Sequence, residues 1–172
     1  MGFREAQIID VPAFIETVKE RIGSHTFQML DADHIAGWVH LYFAVLNALK
    51  AFQDRRNLAE RLDVEILLYA SGQDQISKAF TIVGLTAKTR RIALIILTES
   101  REEAEAALNH VTPLLGVADN SVLEVDGEKF KRLRAIYSIS DEGLEAVAEL
   151  GGEFSALMYL LVERCALLAV HR

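Results

Sequence analysis

The chain has 172 residues, 51% hydrophobic and 25% charged, the balance of one folded domain with its own core rather than of a disordered segment. A net charge of −7 argues against broad, non-specific nucleic-acid binding, which needs phosphate neutralisation over a wide basic surface, yet leaves room for a local basic site. The single Cys165 excludes an internal disulfide framework and Met1 to Asp10 lacks the apolar core of a signal peptide, so the expected setting is a reducing cytoplasm.

Taken in order, Phe3 to Ile9 is a strand candidate, and Asp10 followed by Pro12 opens a helix to about Ile22. Phe14, Ile15, Val18 and Ile22 give that helix one apolar face, and Gly23 ends it. His25 to Leu30 favours a short strand. Asp31 or Asp33 can cap the next helix, which runs to about Gln53. Its expected buried stripe is Ile35, Trp38, Val39, Tyr42, Val45, Leu46 and Leu49. Asn57 is a second cap candidate, with Leu58, Leu62, Ile66 and Tyr69 continuing at near four-residue spacing. A strand over Val64 to Tyr69 competes, because a short apolar run has no decisive period; the reading taken is helix.

The segment Glu65 to Ala79 carries a Ser71-Gly72 break and an immediate restart at Ile76, Ala79, Phe80 and Val83, which predicts two helices joined by a tight elbow. Ile92 to Leu97 is a continuous, β-branched-rich apolar run, as expected of a strand buried on both faces. Ser100 with Glu103 forms a capping-box pattern for a helix to about His110. Pro113 to Val125 is irregular, with room for a strand. Glu128 to Tyr137 reads as a basic helix with Phe130, Leu133 and Ile136 inward, and Ser140 or Asp141 caps a short helix to Leu150. The last segment, Phe154 to Val170, is the most hydrophobic, but it is short for a bilayer and holds Glu163 and Arg164. It belongs in the core, or half in the core and half on a partner. The pattern predicts a helix-rich α/β (α+β) single domain over 1–172, with a small mixed sheet wrapped by helices.

Catalytic chemistry finds no support in these residues. His34 and His40, six apart, point about 240° away from each other on a helix, and neither has a partner at metal-binding spacing. Cys165 lies in an apolar run and reads as an inert buried thiol. The glycines make no phosphate-binding pattern, and Ser71 lacks a nucleophile-elbow context. Asp31 and Asp33 are more simply caps than acid–base groups. The basic groups, Lys50 with Arg55, Arg56 and Arg61 foremost, read first as solvated charged faces. No cofactor and no metal are expected.

A resemblance carries the functional expectation. Asp31-Ala32-Asp33-His34-Ile35-Ala36, then His40, Asn57, the whole Glu65-to-Ile76 run, Gly84, Asp119 to Glu124, Ile136-Tyr137 and the closing apolar helix are similar to the archaeal relatives of the PRPK-binding protein. That family supplies the small kinase-binding subunit of the KEOPS (EKC) complex, which makes threonylcarbamoyladenosine in tRNA. The resemblance implies a non-catalytic accessory subunit that binds and stimulates the kinase/ATPase subunit and helps recruit tRNA by its 3′ CCA tail. The expected docking residues are Leu157, Leu160, Leu161, Arg164 and Leu168, on the assumption that part of the last helix is exposed. For RNA, Gln73, Gln75 and Lys78 would meet unstacked bases while Arg55, Arg56 and Arg61 track phosphates. One departure matters: archaeal relatives often have Arg in a Ser-Gly-x-Arg-Gln-Ile pattern where this chain has Asp74, and a carboxylate repels phosphate. The competing reading is a small-molecule-binding regulatory or enzymatic α/β domain with a pocket near Ser71-Gly72.

Overall fold

The computed structural model describes residues 1–147 and 151–170, the side chains of 169 and 170 aside. Its sheet is organised by the apolar run seen in the sequence, which forms β3 (Arg91–Leu97) between β2 (Thr26–Asp31) and β1 (Gly2–Arg4). The two-residue strand β4 (Val117–Ala118) completes the order β2-β3-β1-β4. All three pairings are antiparallel, where a mixed sheet was expected, since hydrophobic period does not set strand direction.

Alternation along β3 separates two cores. Ile92 and Leu94, with Met29 and Phe3, face α1 (Val11–Ile22) and α5 (Arg101–Leu115), where Val18, Ile22, Val111 and Leu115 are buried. Ala93 and Ile95, with Leu30, face the larger layer of α2 (Trp38–Gln53), α3 (Leu62–Ser71), α4 (Ile76–Val83), α6 (Gly127–Ile136), α7 (Asp141–Glu145) and α8 (Glu153–Val170). The expected end of α7 at Leu150 lies outside the described residues.

Local signals decide most boundaries. Asp10 caps α1 by accepting from the Ala13 amide at 2.8 Å, and Ser100 caps α5 by accepting from that of Glu103 at 3.2 Å. Helix α5 continues past His110 through Pro113 to Leu115, ending at Gly116. A side chain there would lie 2.3 Å from the Arg4 carbonyl at φ +105°, so only glycine lets the chain turn back under β1. Asp31 caps a 3-10 turn, Ala32–His34, rather than α2 itself, which starts later at Gly37.

Helix α3 is buried from Glu65 to Ser71 and shows almost no amphipathic bias, which is why its period was ambiguous in the sequence. Against it and α8, helix α2 presents Leu41, Ala44, Ala48 and Ala51. The three alanines let the helices approach closely and turn four of the seven expected residues outward, while Ile35 is buried and Val39 and Val45 are half-buried. Trp38 is 68% exposed, Tyr42 54%, Leu46 44% and Leu49 43%. Helix α2 is apolar on two faces, and the alanine face is the one inside.

The same logic corrects the last helix. Leu157 and Leu161 are buried in the α2–α3–α8 core, not exposed, while Leu160 and Leu168 are half-buried against it. Truncating Leu161 to Ala is therefore expected to cost about 2–5 kcal/mol. Urea unfolding would measure this, and Leu161→Glu is expected to lose cooperative folding altogether.

Candidate functional site

The Asp31–His34 turn is held from every side. The Asp31 carboxylate accepts from the Asp33 amide at 3.0 Å and from the Thr89 hydroxyl at 2.7 Å. Asp33 pairs with both Arg91 and Arg132, each at 3.1 Å, tying the turn to β3 and α6. The His34 ring nitrogen Nδ1 meets the Ile82 carbonyl of α4 at 2.5 Å.

Beneath the turn lies a buried polar node. The Tyr137 hydroxyl lies within hydrogen-bond range of two carbonyls, His34 at 3.0 Å and Ala70 at 3.1 Å, so its one proton bridges the turn and the end of α3. Burial pushes the Tyr137 pKa upward, which keeps that proton in place. His40, 1% exposed, accepts from the Ala36 amide at Nδ1 (3.2 Å). With Nδ1 an acceptor, the proton sits on Nε2 and the ring is neutral; burial holds its pKa down to about 4, only partly opposed by a hydrogen bond to Ala70.

Tyr137 is also the link to α8. Arg164 donates from Nη1 to the Tyr137 carbonyl, and its Cβ would lie 3.3 Å from a side chain placed on Gly72. The break after Ser71 is thus a left-handed C-cap (Gly72 φ 62°) with Arg164 lying over it. Ser71 is fully buried, its hydroxyl donating to the Leu68 carbonyl at 2.9 Å. The small cavity at this elbow, about 250 Å³, is lined by Gln73, Ser77, Lys78, Thr81 and Ile82. Cys165 donates its thiol to the Tyr69 carbonyl at 3.0 Å, with burial raising its pKa to about 12, the behaviour of the inert thiol expected from its setting.

The six RNA candidates do not converge. Gln73, Gln75 and Lys78 follow the C-terminal end of α3, while Arg55, Arg56 and Arg61 precede its N-terminal end, a ten-residue helix or about 15 Å away. Gln75 and Lys78 are exposed beside Ile76 and Phe80, and Asp74 is exposed among them. Arg61 is paired with Asp63 at 2.5 Å. The loop carrying these arginines is fixed by buried Glu65, whose carboxylate accepts from the Leu58 and Ala59 amides at 2.9 and 2.8 Å. Glu65 supplies the restraint expected of Asn57, whose side chain instead donates to the Ala59 carbonyl at 2.9 Å.

Of the docking candidates, Leu157 and Leu161 are core and the Arg164 guanidinium reaches inward to Tyr137. The outer face of α8 is formed instead by Tyr159, Glu163 and Leu167. The sequence reading missed the larger surface, the Trp38–Tyr42–Leu46–Leu49 stripe of α2. Only the alanine spacing on the opposite face hints at it. Helices α2 and α8 pack together, and their first turns meet at a cavity of about 740 Å³ whose walls include Trp38, Leu123, Val125, Phe154 and Met158. Among the described residues, no helix is long and apolar enough to cross a membrane, and no cluster of His, Cys, Asp or Glu could hold a metal.

A family model described as kinase binding protein CGI-121 matches residues 10–169. The chain belongs to the CGI-121 family. It is also 35% identical over 118 residues to the regulatory protein Cgi121 of Methanocaldococcus jannaschii, a match covering 68% of this chain and 73% of that relative. The CGI-121 match takes in the Asp31–His34 turn, the elbow, Tyr137 and nearly all of α8.

His40 makes the node sensitive to acid. Between pH about 6.5 and 4 the unfolded chain takes up a proton that the folded chain refuses. Stability is therefore complete at neutral pH and falls as the pH drops through that window, by at most about 3 kcal/mol. Urea midpoints measured between pH 7 and 4.5 check this, with His40→Gln expected to flatten that part of the profile.

Proposed function

We propose that this chain is the non-catalytic, kinase-docking subunit of a KEOPS complex, that it binds and stimulates the kinase/ATPase subunit, and that it helps recruit tRNA. The observation that carries the docking reading is the outward apolar stripe of α2, beside the outer face of α8, in a family described by its kinase binding. Four large apolar side chains in line on one exposed helix face need a covering surface, and the core has already closed without them. Among the described residues no group of His, Cys, Asp and Glu could hold a catalytic metal. The polar groups of the node at Tyr137 are occupied in holding the fold.

Docking is tested with Leu46→Glu and Tyr159→Glu. Both side chains are substantially exposed, so the unfolding midpoint is expected to stay put. Affinity for the kinase subunit, read by calorimetry, is expected to fall by roughly thirtyfold or more for each, as for a central anchor residue. Unchanged affinity in both variants would refute the α2–α8 surface.

For tRNA, the elbow supports the proposal with exposed Gln75, Lys78 and the Phe80 ring, which together suit an unstacked base. Asp74 opposes phosphate there. The expected pattern is therefore base-dominated contact with a shallow salt dependence. A shift assay at fixed salt should give weaker binding for tRNA lacking its 3′ CCA tail than for intact tRNA, and Asp74→Arg should strengthen binding several-fold. Equal affinity for the two tRNAs would count against tail recognition.

A further inference from the structure

We infer that the 740 Å³ cavity between the first turns of α2 and α8 is the receptor for one basic side chain, lysine or arginine, of the docked kinase subunit; this rests on the docking proposal above. The cavity is continuous with the proposed docking face through Trp38, which heads the α2 stripe and forms one of its walls. Its lining is largely apolar and includes two aromatic rings, Trp38 and Phe154, both substantially exposed.

Polar groups in the lining are few, and most are committed or neutral. Asn120 is occupied, its Oδ1 accepting from the Gly2 amide at 2.9 Å. Among the described residues Glu124 is the only charged side chain in the lining, and its carboxylate takes no hydrogen bond or ion pair; Met1 also lines the cavity, but its ammonium donates to the Leu94 carbonyl at 2.7 Å. No described lysine or arginine lines the cavity to answer it. Leu123, beside Glu124, belongs to a 3-10 turn pinned by buried Lys129, whose ammonium donates to the Val122 carbonyl at 2.8 Å. The backbone beside Glu124 is therefore held in place.

Apolar walls with a carboxylate that no described cation pairs fit a particular chemistry. A lysine or arginine lays its methylene stem along aromatic surface and carries its charge at the far end. Here the stem would lie on Trp38 and Phe154, with their ring faces adding attraction for the cation and Glu124 receiving the head. A neutral apolar anchor would leave the Glu124 charge desolvated and unpaired, and an acidic one would meet repulsion.

The test measures binding of the kinase subunit by calorimetry at low and high salt, using Glu124→Gln, Glu124→Arg and Trp38→Ala beside Leu46→Glu. Trp38 and Glu124 are exposed, so all three cavity variants are expected to unfold like the native chain, which urea titration verifies. Glu124→Gln should weaken binding about fivefold and flatten its salt dependence, while Glu124→Arg and Trp38→Ala should each weaken it at least about tenfold. Native-like affinity for all three while Leu46→Glu abolishes binding would overturn the cavity inference and leave the docking face standing. Loss with Trp38→Ala but not with Glu124→Gln or Glu124→Arg would assign the cavity to a neutral anchor and overturn the basic one. Failure of the native chain to bind, or self-association that Trp38→Ala abolishes, would overturn both readings.

Discussion

One phenol proton holds together parts of this fold that are far apart in sequence. The Tyr137 hydroxyl faces the carbonyls of His34 and Ala70, 103 and 67 residues away. Those carbonyls end two different elements, the turn after β2 and the buried helix α3. Left unpaired in an apolar interior, each would cost on the order of 1–3 kcal/mol. The backbone carbonyl of the same residue accepts from Arg164, so α8 is fastened to the same point. His40 packs edge-on against the Tyr137 ring and is held neutral by burial, so the node is a hydrogen-bonded polar network within an apolar core. Such a network is costly to disturb, which is why the turn, the elbow and the last helix have a fixed relation.

That fixed relation explains the free surface. With α3 surrounded and its carbonyls satisfied, α2 needs only its alanine face to close the core. Its second apolar face is surplus to folding. A surplus face of four large side chains, one of them tryptophan, exposes apolar area that folding alone gives no reason to keep. The same holds on a smaller scale for Tyr159 and Leu167 on α8. The geometry suits a domain whose interior is complete and whose remaining hydrophobicity is directed at a partner.

Much of this was legible in the sequence where the physics is local. Asp10, Ser100 and Gly23 act on neighbouring amides or on a single backbone angle, so their caps and stops were readable as spacing. The β3 run was readable because burial on both faces removes alternation. Helices α2 and α8 were both expected, but residues of their inward and outward faces were misassigned for a shared reason. A hydrophobic period says which residues share a face, but not which of two apolar faces turns inward. The answer lies in the close approach that Ala44, Ala48 and Ala51 permit, a property of the pair rather than of either helix. Glu65 was invisible for a different reason. Its charge sits inside an apolar helix, and the amides that satisfy it, those of Leu58 and Ala59, lie in the preceding loop.

The length of α8 then bears on how the two proposed activities coexist. Its first turn borders the apolar cavity through Phe154 and Met158, and ten residues beyond Phe154, about 15 Å along the axis, Arg164 covers Gly72 at the elbow. A partner side chain held at the cavity and an RNA end held at the elbow would therefore meet points about 15 Å apart along α8. Arg164 gives that helix a direct contact with the elbow, since a side chain on residue 72 would crowd its Cβ at 3.3 Å. Movement of α8 under a docked partner would be transmitted to Gly72 and Gln73 by contact, with no intervening hinge. In the proposed reading, α8 would act as the spacer between the docking face and the elbow.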